Sequence, residues 1–331
     1  MEKLKEILTS QYGFEHDFYI KKFDAGFLSD NYIIEFKDKK FFLKGYRFKD
    51  KANVSEVHAV KFFFASKGIP VILPVKTKVG DTIFSLDDKH YALFPFVVGI
   101  HYNRGTIPRP IGKALGEFLA RMHQVGKEYD FPVKAGFKSK SKATVIFRIK
   151  EILNIIESKH KRDAFDTLAF ETLSLKLELV NRDSRPVEEF ICEPLILLQG
   201  DFHEQNIFFD GAGAITCIFD FEKAQMGPRS FELWRSANYM FLNGYFSEGR
   251  INDVIAYISA YNAVNPISKD ELARGLEIYY QKCIHSVWVE QEHYLKNNSK
   301  TDMFLENRTI KYLSQNKSVF LETIVSCVYT K

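Results

Sequence analysis

The sequence predicts an α+β protein of two lobes, a small β-rich one over residues 1–96 and a larger, mainly helical one over residues 97–331. Three observations predict it. At 331 residues the chain exceeds what a single typical core accommodates. Its first third is built of short aromatic and β-branched segments, whereas beyond Ile111 apolar residues recur at helical spacing. A single strand–turn–strand island, 195–220, interrupts that helical tail.

The N-terminus, MEKLKEILTSQYGF, mixes charges of both signs with apolar residues and reads as a short amphipathic helix rather than an export signal. Strands are expected at 17–24, 30–36 and 40–46, separated by Gly26 and the polar turn Lys37-Asp38-Lys39. Val57, Val60, Phe63 and Phe64 place a helix over 53–67, which Gly68 ends before Ile69-Pro70 starts extended chain. Two more strands, 82–86 and 90–96, flank the turn Asp87-Asp88-Lys89. In the helical part, Ile111, Leu115, Phe118, Leu119 and Met122 share one face of a helix over 111–125. The Lys-rich stretch 139–182 reads as an inserted helical hairpin, and further helices are expected near 229–243, 250–261, 269–295 and 302–328.

Composition narrows the function class. The apolar fraction of 46% and charged fraction of 27% are those of an ordinary globular protein. Lysine and arginine exceed aspartate and glutamate by 46 − 42 = +4, with no long basic block. A nucleic-acid polymer is therefore not the expected partner, while an acidic nucleotide fits. Cys192, Cys217, Cys283 and Cys327 are widely spaced and contain no C-x-x-C pair, which points to neither zinc nor disulfides and suits a reducing, cytoplasmic compartment. No apolar run approaches the ~18 residues that a membrane span requires.

The chemistry concentrates in LILLQGDFHEQNIFFDGAGAITCIFDFE, residues 195–222. An apolar strand ends at Gly200, Asp201 follows in a loop, Asn206 comes five positions later, and a second apolar strand ends at Asp220. A lone Asp or Asn in a loop is usually a turn former. Three such residues delivered to one end of a hairpin are not. Phosphoryl transfer requires a carboxylate near the attacking hydroxyl and oxygen ligands that hold Mg²⁺ against the phosphates, and an Asn with an Asp suits that hard cation. The spacing D-x-x-x-x-N, with D-F fourteen positions on, is also that of protein-kinase catalytic and metal loops.

A lysine for the phosphates is expected upstream. Lys44, inserted in the apolar strand Phe41-Phe42-Leu43-Lys44, is the natural choice. Its orienting carboxylate is expected on the following helix, where Glu56 is the only acidic residue between Asp50 and Asp81. The segment Tyr91–Phe96, with Phe94 and Phe96, is expected to meet an adenine edge and supply apolar walls. Gly26, before Ser29-Asp30-Asn31, is expected to let a hairpin close over phosphates, although no GxGxxG stands there.

Residues Gln199–Asn206 resemble the H-G-D-x-H-x-x-N loop of the aminoglycoside phosphotransferase and choline kinase-like family. Asp220-Phe221-Glu222 is similar to its I-D-F/W-E/D motif, Leu115-Gly116 through Leu119-Ala120-Arg121-Met122-His123 to its L-G-x-x-L-A-x-L-H helix, and Ser29-Asp30-Asn31-Tyr32 to its first hairpin. The resemblance runs from about Asp24 to Tyr239. It implies a protein-kinase-like fold, ATP or GTP with Mg²⁺, Asp201 as base, and Asn206 and Asp220 as metal ligands. Gln199 replaces the usual His, Gln205 a common Gly, and Glu232 a frequent Asp; none of these removes a ligating group.

The expected acceptor is a hydroxyl of a small molecule: an amino alcohol, amino acid, sugar or aminoglycoside-type antibiotic. Candidate substrate residues are His203, Trp234, Trp288 and Glu292, with Glu290 beside them; aromatics with carboxylates suit an acceptor bearing an amine. A protein kinase is the first alternative, opposed by Glu222 in place of Gly after Asp220-Phe221 and by the lack of an A-P-E segment. A nucleotide-binding pseudokinase or scaffold is the second, opposed by the intact Lys44, Glu56, Asp201, Asn206 and Asp220.

Overall fold

A computed structural model describes residues 1–15, 18–23, 30–130 and 137–330. Gly26 and Ser29 lie outside the described residues. In chain order the first elements are α1 (Glu2–Tyr12), β1 (Phe18–Phe23), β2 (Asn31–Phe36), β3 (Lys39–Tyr46), α2 (Lys51–Ser66), β4 (Phe84–Leu86) and β5 (Lys89–Pro95). The helices α3 (Arg109–Gly126), α4 (Lys142–Glu157) and α5 (Ala164–Asp183) follow, then β6 (Ile196–Leu198), β7 (Ile207–Phe209), β8 (Ile215–Ile218) and β9 (Gln225–Gly227). The chain ends in α6 (Arg229–Ala237), α7 (Glu248–Val264), α8 (Lys269–Ile284), α9 (Trp288–Lys296) and α10 (Arg308–Val328).

Two compact units are present. The first comprises Met1–His101, Glu128–Lys134 and Gln199–Gln225. Its sheet is antiparallel with strand order β1-β2-β3-β5-β4. Alternation along β3 sends Leu43 to one side, where it joins Leu4 and Leu8 of α1, Phe14, Phe18, Ile34, Phe84, Tyr91 and Leu93 in one apolar cluster. Each such side chain, fully buried, contributes roughly 1.5–3 kcal/mol. Helix α1 closes on Gly13, whose φ of 74° lies in the left-handed region that glycine adopts without strain. Helix α2 begins at its N-cap Asp50, which accepts from the Ala52 N–H at 2.9 Å, and Gly68 with φ 79° follows its end. The hairpin β7–β8 belongs to this first unit.

The second unit comprises Tyr102–Lys127, Ala135–Leu198 and Met226–Lys331. Gly116 is what lets α3 press against α7, because a Cβ there would meet the Tyr257 carbonyl oxygen. The expected helical insert is α4 and α5, which pack on each other; Asp163 and Asp166 form a capping box at the start of α5. The helix expected near 302–328 starts only at Arg308, after a 3-10 turn over Ser299–Phe304, and a second expectation is also corrected. The stretch 269–295 is two helices, with a break at His285–Val287. The break is stabilised from α5: the Lys176 ammonium donates to the Ser286 carbonyl at 2.6 Å and to Glu290 at 2.8 Å, while His285 bonds Ser184 at 2.8 Å. Among the described residues no helix is long and apolar enough to cross a membrane, and all four cysteines are free thiols.

Candidate active site

Asp201, Asn206, Asp220 and Lys44 all fall in the first unit. Lys44 stands on β3 opposite Asn31 of β2 and Ala92 of β5. Residues 204–206 form a single 3-10 turn whose N-cap is His203, and β7 leads from Asn206 into the hairpin that returns through β8 to Asp220. The Phe219 N–H donates to the Asn206 carbonyl at 2.9 Å, which ties the two arms together at their polar end.

Asp220 has φ 51°, in the left-handed region that non-glycine residues rarely occupy. Gln199, almost fully buried, stabilises that backbone. Its amide nitrogen donates to the Asp220 and Phe219 carbonyls, and its oxygen accepts from the Asp201 N–H at 2.7 Å. One side chain therefore holds both aspartate loops. Gly200 is required beside it, because its φ is 83° and a Cβ would collide with the Lys223 carbonyl oxygen.

Lys44 is buried and pairs with Asp220 at 3.0 Å and Glu222 at 2.6 Å; Glu222 also takes Arg47 at 3.2 Å. Burial alone would depress the Lys44 pKa, but the charges of Asp220 and Glu222 outweigh it and the net shift is upward. Burial would likewise raise Asp220, and Lys44 reverses the sign, holding the carboxylate below its ordinary range despite the nearby charge of Asp201. Glu222 thus takes the place expected for Glu56. Glu56 is half-buried on α2, where its charge, after burial, helps raise the pKa of Tyr129. The α2 residues turned to the interior are instead Val54, Val57, His58, Val60, Lys61 and Phe64.

Asn206 donates its amide nitrogen to the Asp201 carbonyl at 3.0 Å and approaches His203 Nε2 at 3.2 Å, which leaves its oxygen as the atom offered to a cation. The Asp220 side chain is one-third exposed. Among the described residues no group of three or more His, Cys, Asp or Glu side chains could hold a metal. One amide oxygen and one carboxylate fit Mg²⁺ as it binds beside nucleotides, with phosphates and water completing its shell.

Asp201 pairs with Lys223 at 3.1 Å and lies 3.7 Å from His203 Nε2. His203 is buried, caps the turn and accepts from the Gln205 N–H at 3.3 Å, so it organises the loop from inside. Phe94, expected to supply an adenine wall, is fully buried, with its ring 4.5 Å from the Lys61 ammonium and 5.5 Å from Phe219. The Phe96 N–H is committed to the Lys40 carbonyl at 3.1 Å, so sheet bonding runs through that residue.

In the second unit, Trp234 is a core residue, 1% exposed, whose indole N–H donates to the Leu272 carbonyl at 2.8 Å. Glu290 is buried against Lys176. Glu292 pairs with Lys296 at 2.6 Å and accepts from Asn298 at 3.0 Å, closing the end of α9. Trp288 alone of the four expected substrate residues is well exposed, at 41%, beside Phe304 at 5.8 Å. His123 and Glu232 form a buried pair at 2.9 Å, with Tyr261 on the other ring nitrogen at 2.8 Å. Glu232 therefore fills its motif position as a core partner. Sequence reasoning did not assign Glu222, Gln199, Lys61 or Lys223 a role. Glu222 and Gln199 stand in the motifs quoted above, and Lys61 is visible as a cation on the apolar face of α2.

Residues 20–272 match the model of the phosphotransferase enzyme family. The chain belongs to that family. This phosphotransferase is 27% identical over 256 residues to stress response kinase A of Salmonella paratyphi A, which covers 73% of this chain and 69% of the relative. A relative named serine/threonine protein kinase RdoA, from Salmonella typhimurium, matches with the same identity and coverage. The solved structure of a spectinomycin phosphotransferase with ADP and spectinomycin superposes with a TM-score of 0.62 at 17% identity, covering 98% of both chains. A microcompartment-associated aminopropanol kinase also gives 0.62, at 13% identity, over 95% of this chain and 98% of its own. The fold is protein-kinase-like, with a β-rich N-terminal region and a helical C-terminal part.

Proposed function

We propose that this phosphotransferase moves the γ-phosphoryl group of ATP to a hydroxyl of a small molecule. The observation that carries the proposal is the joint placement of Asp201, Asn206, Asp220 and Lys44 at one end of one hairpin and its neighbouring strand. Asp201 orients the acceptor hydroxyl and takes its proton. Asn206 and Asp220 would hold Mg²⁺, which would supply charge neutralisation to the transferring phosphate. Lys44 now shares its ammonium between Asp220 and Glu222, and on nucleotide binding it turns partly to the phosphates, with Glu222 keeping it in place. The adenine edge meets the main chain of Val97 and Val98, beyond the last sheet bond at Phe96.

Two neighbours of this fold, the spectinomycin phosphotransferase with bound spectinomycin and the aminopropanol kinase, support a small hydroxylated acceptor. An amine on the acceptor, expected from Trp234, Glu290 and Glu292, has no support from those side chains, which are spent on internal bonds. A protein acceptor is the second reading, and the relative named a serine/threonine protein kinase favours it. The deciding experiment supplies [γ-³²P]ATP and Mg²⁺ with water alone, with a panel of amino alcohols, sugars and aminoglycosides, and with casein. Label on a small molecule is expected. Label on casein alone reverses the order of the two readings, and no Mg²⁺-dependent transfer to anything removes both.

A further inference from the structure

Lys223 follows Asp220-Phe221-Glu222 in a tight turn closed by the Ala224 N–H donating to the Phe221 carbonyl at 3.0 Å. Its backbone is fixed against Gly200, the residue before Asp201, by a contact that leaves no room for a Cβ. The start of its side chain is thus placed as firmly as the two aspartate loops. Its far end reaches Asp201 Oδ2 at 3.1 Å while the side chain stays 48% exposed, against 16% for Asp201. A surface ion pair of this kind contributes little to folding. Its position is nevertheless specific.

Charge around the site is divided. Lys44 and Arg47 serve Glu222 and Asp220 on the side of the proposed metal ligands, and Lys44 is enclosed there by both carboxylates and by the Phe219 ring at 5.1 Å. Lys223 stands on the Asp201 side. In phosphoryl transfer negative charge spreads over the equatorial oxygens of the migrating group, and a cation on the acceptor side stabilises that charge. A hydroxyl bonded to Asp201 and aimed at phosphorus, with reacting atoms about 3–3.5 Å apart, brings the phosphoryl oxygens within reach of an ammonium on the same carboxylate.

We propose that Lys223 is a further catalytic residue of this transferase, its ammonium shared between Asp201 and the migrating phosphoryl group. This rests on the reading of Asp201 as base. In the step, the acceptor oxygen forms its bond to the γ-phosphorus and the bond from that phosphorus to the β,γ-bridging oxygen breaks. ADP leaves with the electron pair, and the hydroxyl proton passes to Asp201. Lys223 stays protonated throughout and exchanges one oxygen partner for another.

The test uses the full chain with Lys223→Gln, Lys223→Arg, Asp201→Asn and the Lys223→Gln/Asp201→Asn double variant. Transfer is read from [γ-³²P]ATP and Mg²⁺ to water and to the best acceptor of the panel. Lys223→Gln is expected to lower kcat about 10²-fold, by analogy with loss of one donor to a developing charge, with the KM for ATP changed less than twofold. Lys223→Arg should recover most of the rate, and the double variant should be slower than Asp201→Asn. An unchanged kcat in Lys223→Gln overturns the inference, as does a loss confined to the KM for ATP. A double variant no slower than Asp201→Asn also overturns it, since Lys223 then acts only by orienting Asp201. Normal turnover by Asp201→Asn removes the reading of Asp201 itself, and an unmodified chain without transfer removes both.

Discussion

Asp220 sits in a left-handed backbone conformation with its carboxylate on Lys44, and Gln199 holds its carbonyl from behind. Strain of order 1–3 kcal/mol persists only where the surroundings enforce it. Here the enforcing residue also accepts from the Asp201 N–H, so the two aspartates share one support but face different partners. They should therefore fail differently. Asp201→Asn should keep Mg·ATP affinity nearly intact and lower kcat by roughly 10²–10⁴-fold, the usual worth of a general base. Asp220→Ala should weaken metal-dependent nucleotide binding and abolish turnover together. Calorimetry of Mg·ATP beside steady-state rates decides it, and the opposite pattern would reverse the roles. The placement of these residues together is legible because their spacing along one hairpin is a sequence property. The carboxylate partner of Lys44 is not: elimination among acidic residues points to Glu56, whereas facing is set by the turn of the helix, and Glu222 makes the pair. Val54, Val57, His58, Lys61 and Phe64 mark the buried face, and Glu56 stands beside that stripe.

At the scale of elements, that same buried face of α2 predicts an acid sensitivity. His58 bonds Tyr46 OH at 2.9 Å and Thr82 at 2.8 Å, and burial, then the charges of Lys61 and Lys44, lower its pKa from 6.5 to about 3. Above pH 6.5 the ring is neutral in both folded and unfolded chains, so its contribution is whole. Below that, the unfolded chain takes a proton that the folded one refuses, and stability falls by about 1.4 kcal/mol per pH unit down to about pH 3. Urea unfolding at pH 7 and pH 5 should show the difference between the unmodified chain and His58→Gln shrinking by about 2 kcal/mol at the lower pH. A constant difference would contradict it. The sheet and α3 were legible because their apolar residues repeat at strand and helix periods. The break between α8 and α9 was not, because its cause lies 110 residues away in Lys176. Lys176→Met leaves Glu290 buried without its cation and should cost about 3–5 kcal/mol. Adding Glu290→Gln should return most of that loss, and thermal unfolding of the single and double variants measures both.

Across the whole molecule, every group assigned to nucleotide and metal lies in the first compact unit, while both tryptophans, Trp234 and Trp288, lie in the second. The sequence divided the chain by periodicity at residue 96. It could not show that a segment a hundred residues further on packs with the first strands, because residues Gln199–Gln225 are joined to them through space, by Lys44 with Asp220 and by Ile218 with Pro70 and Ile72. That division makes a regional prediction. A ligand that binds only the folded chain stabilises it by about 2.7 kcal/mol at a hundred times its Kd, and the protection appears where the contacts are. Mg·ATP should accordingly slow amide exchange in Lys39–Tyr46 and in 199–225. Asp220→Ala should abolish that slowing, whereas Asp201→Asn should preserve it, since its defect lies in the transfer step and not in binding. Tryptophan fluorescence, which reports the second unit, should change less than first-unit exchange when only Mg·ATP is added. Protection confined to α6–α10 would place the nucleotide away from Lys44 and Asp220, and would overturn the assignment of those residues rather than the membership of the family, which rests on residues 20–272 as a whole.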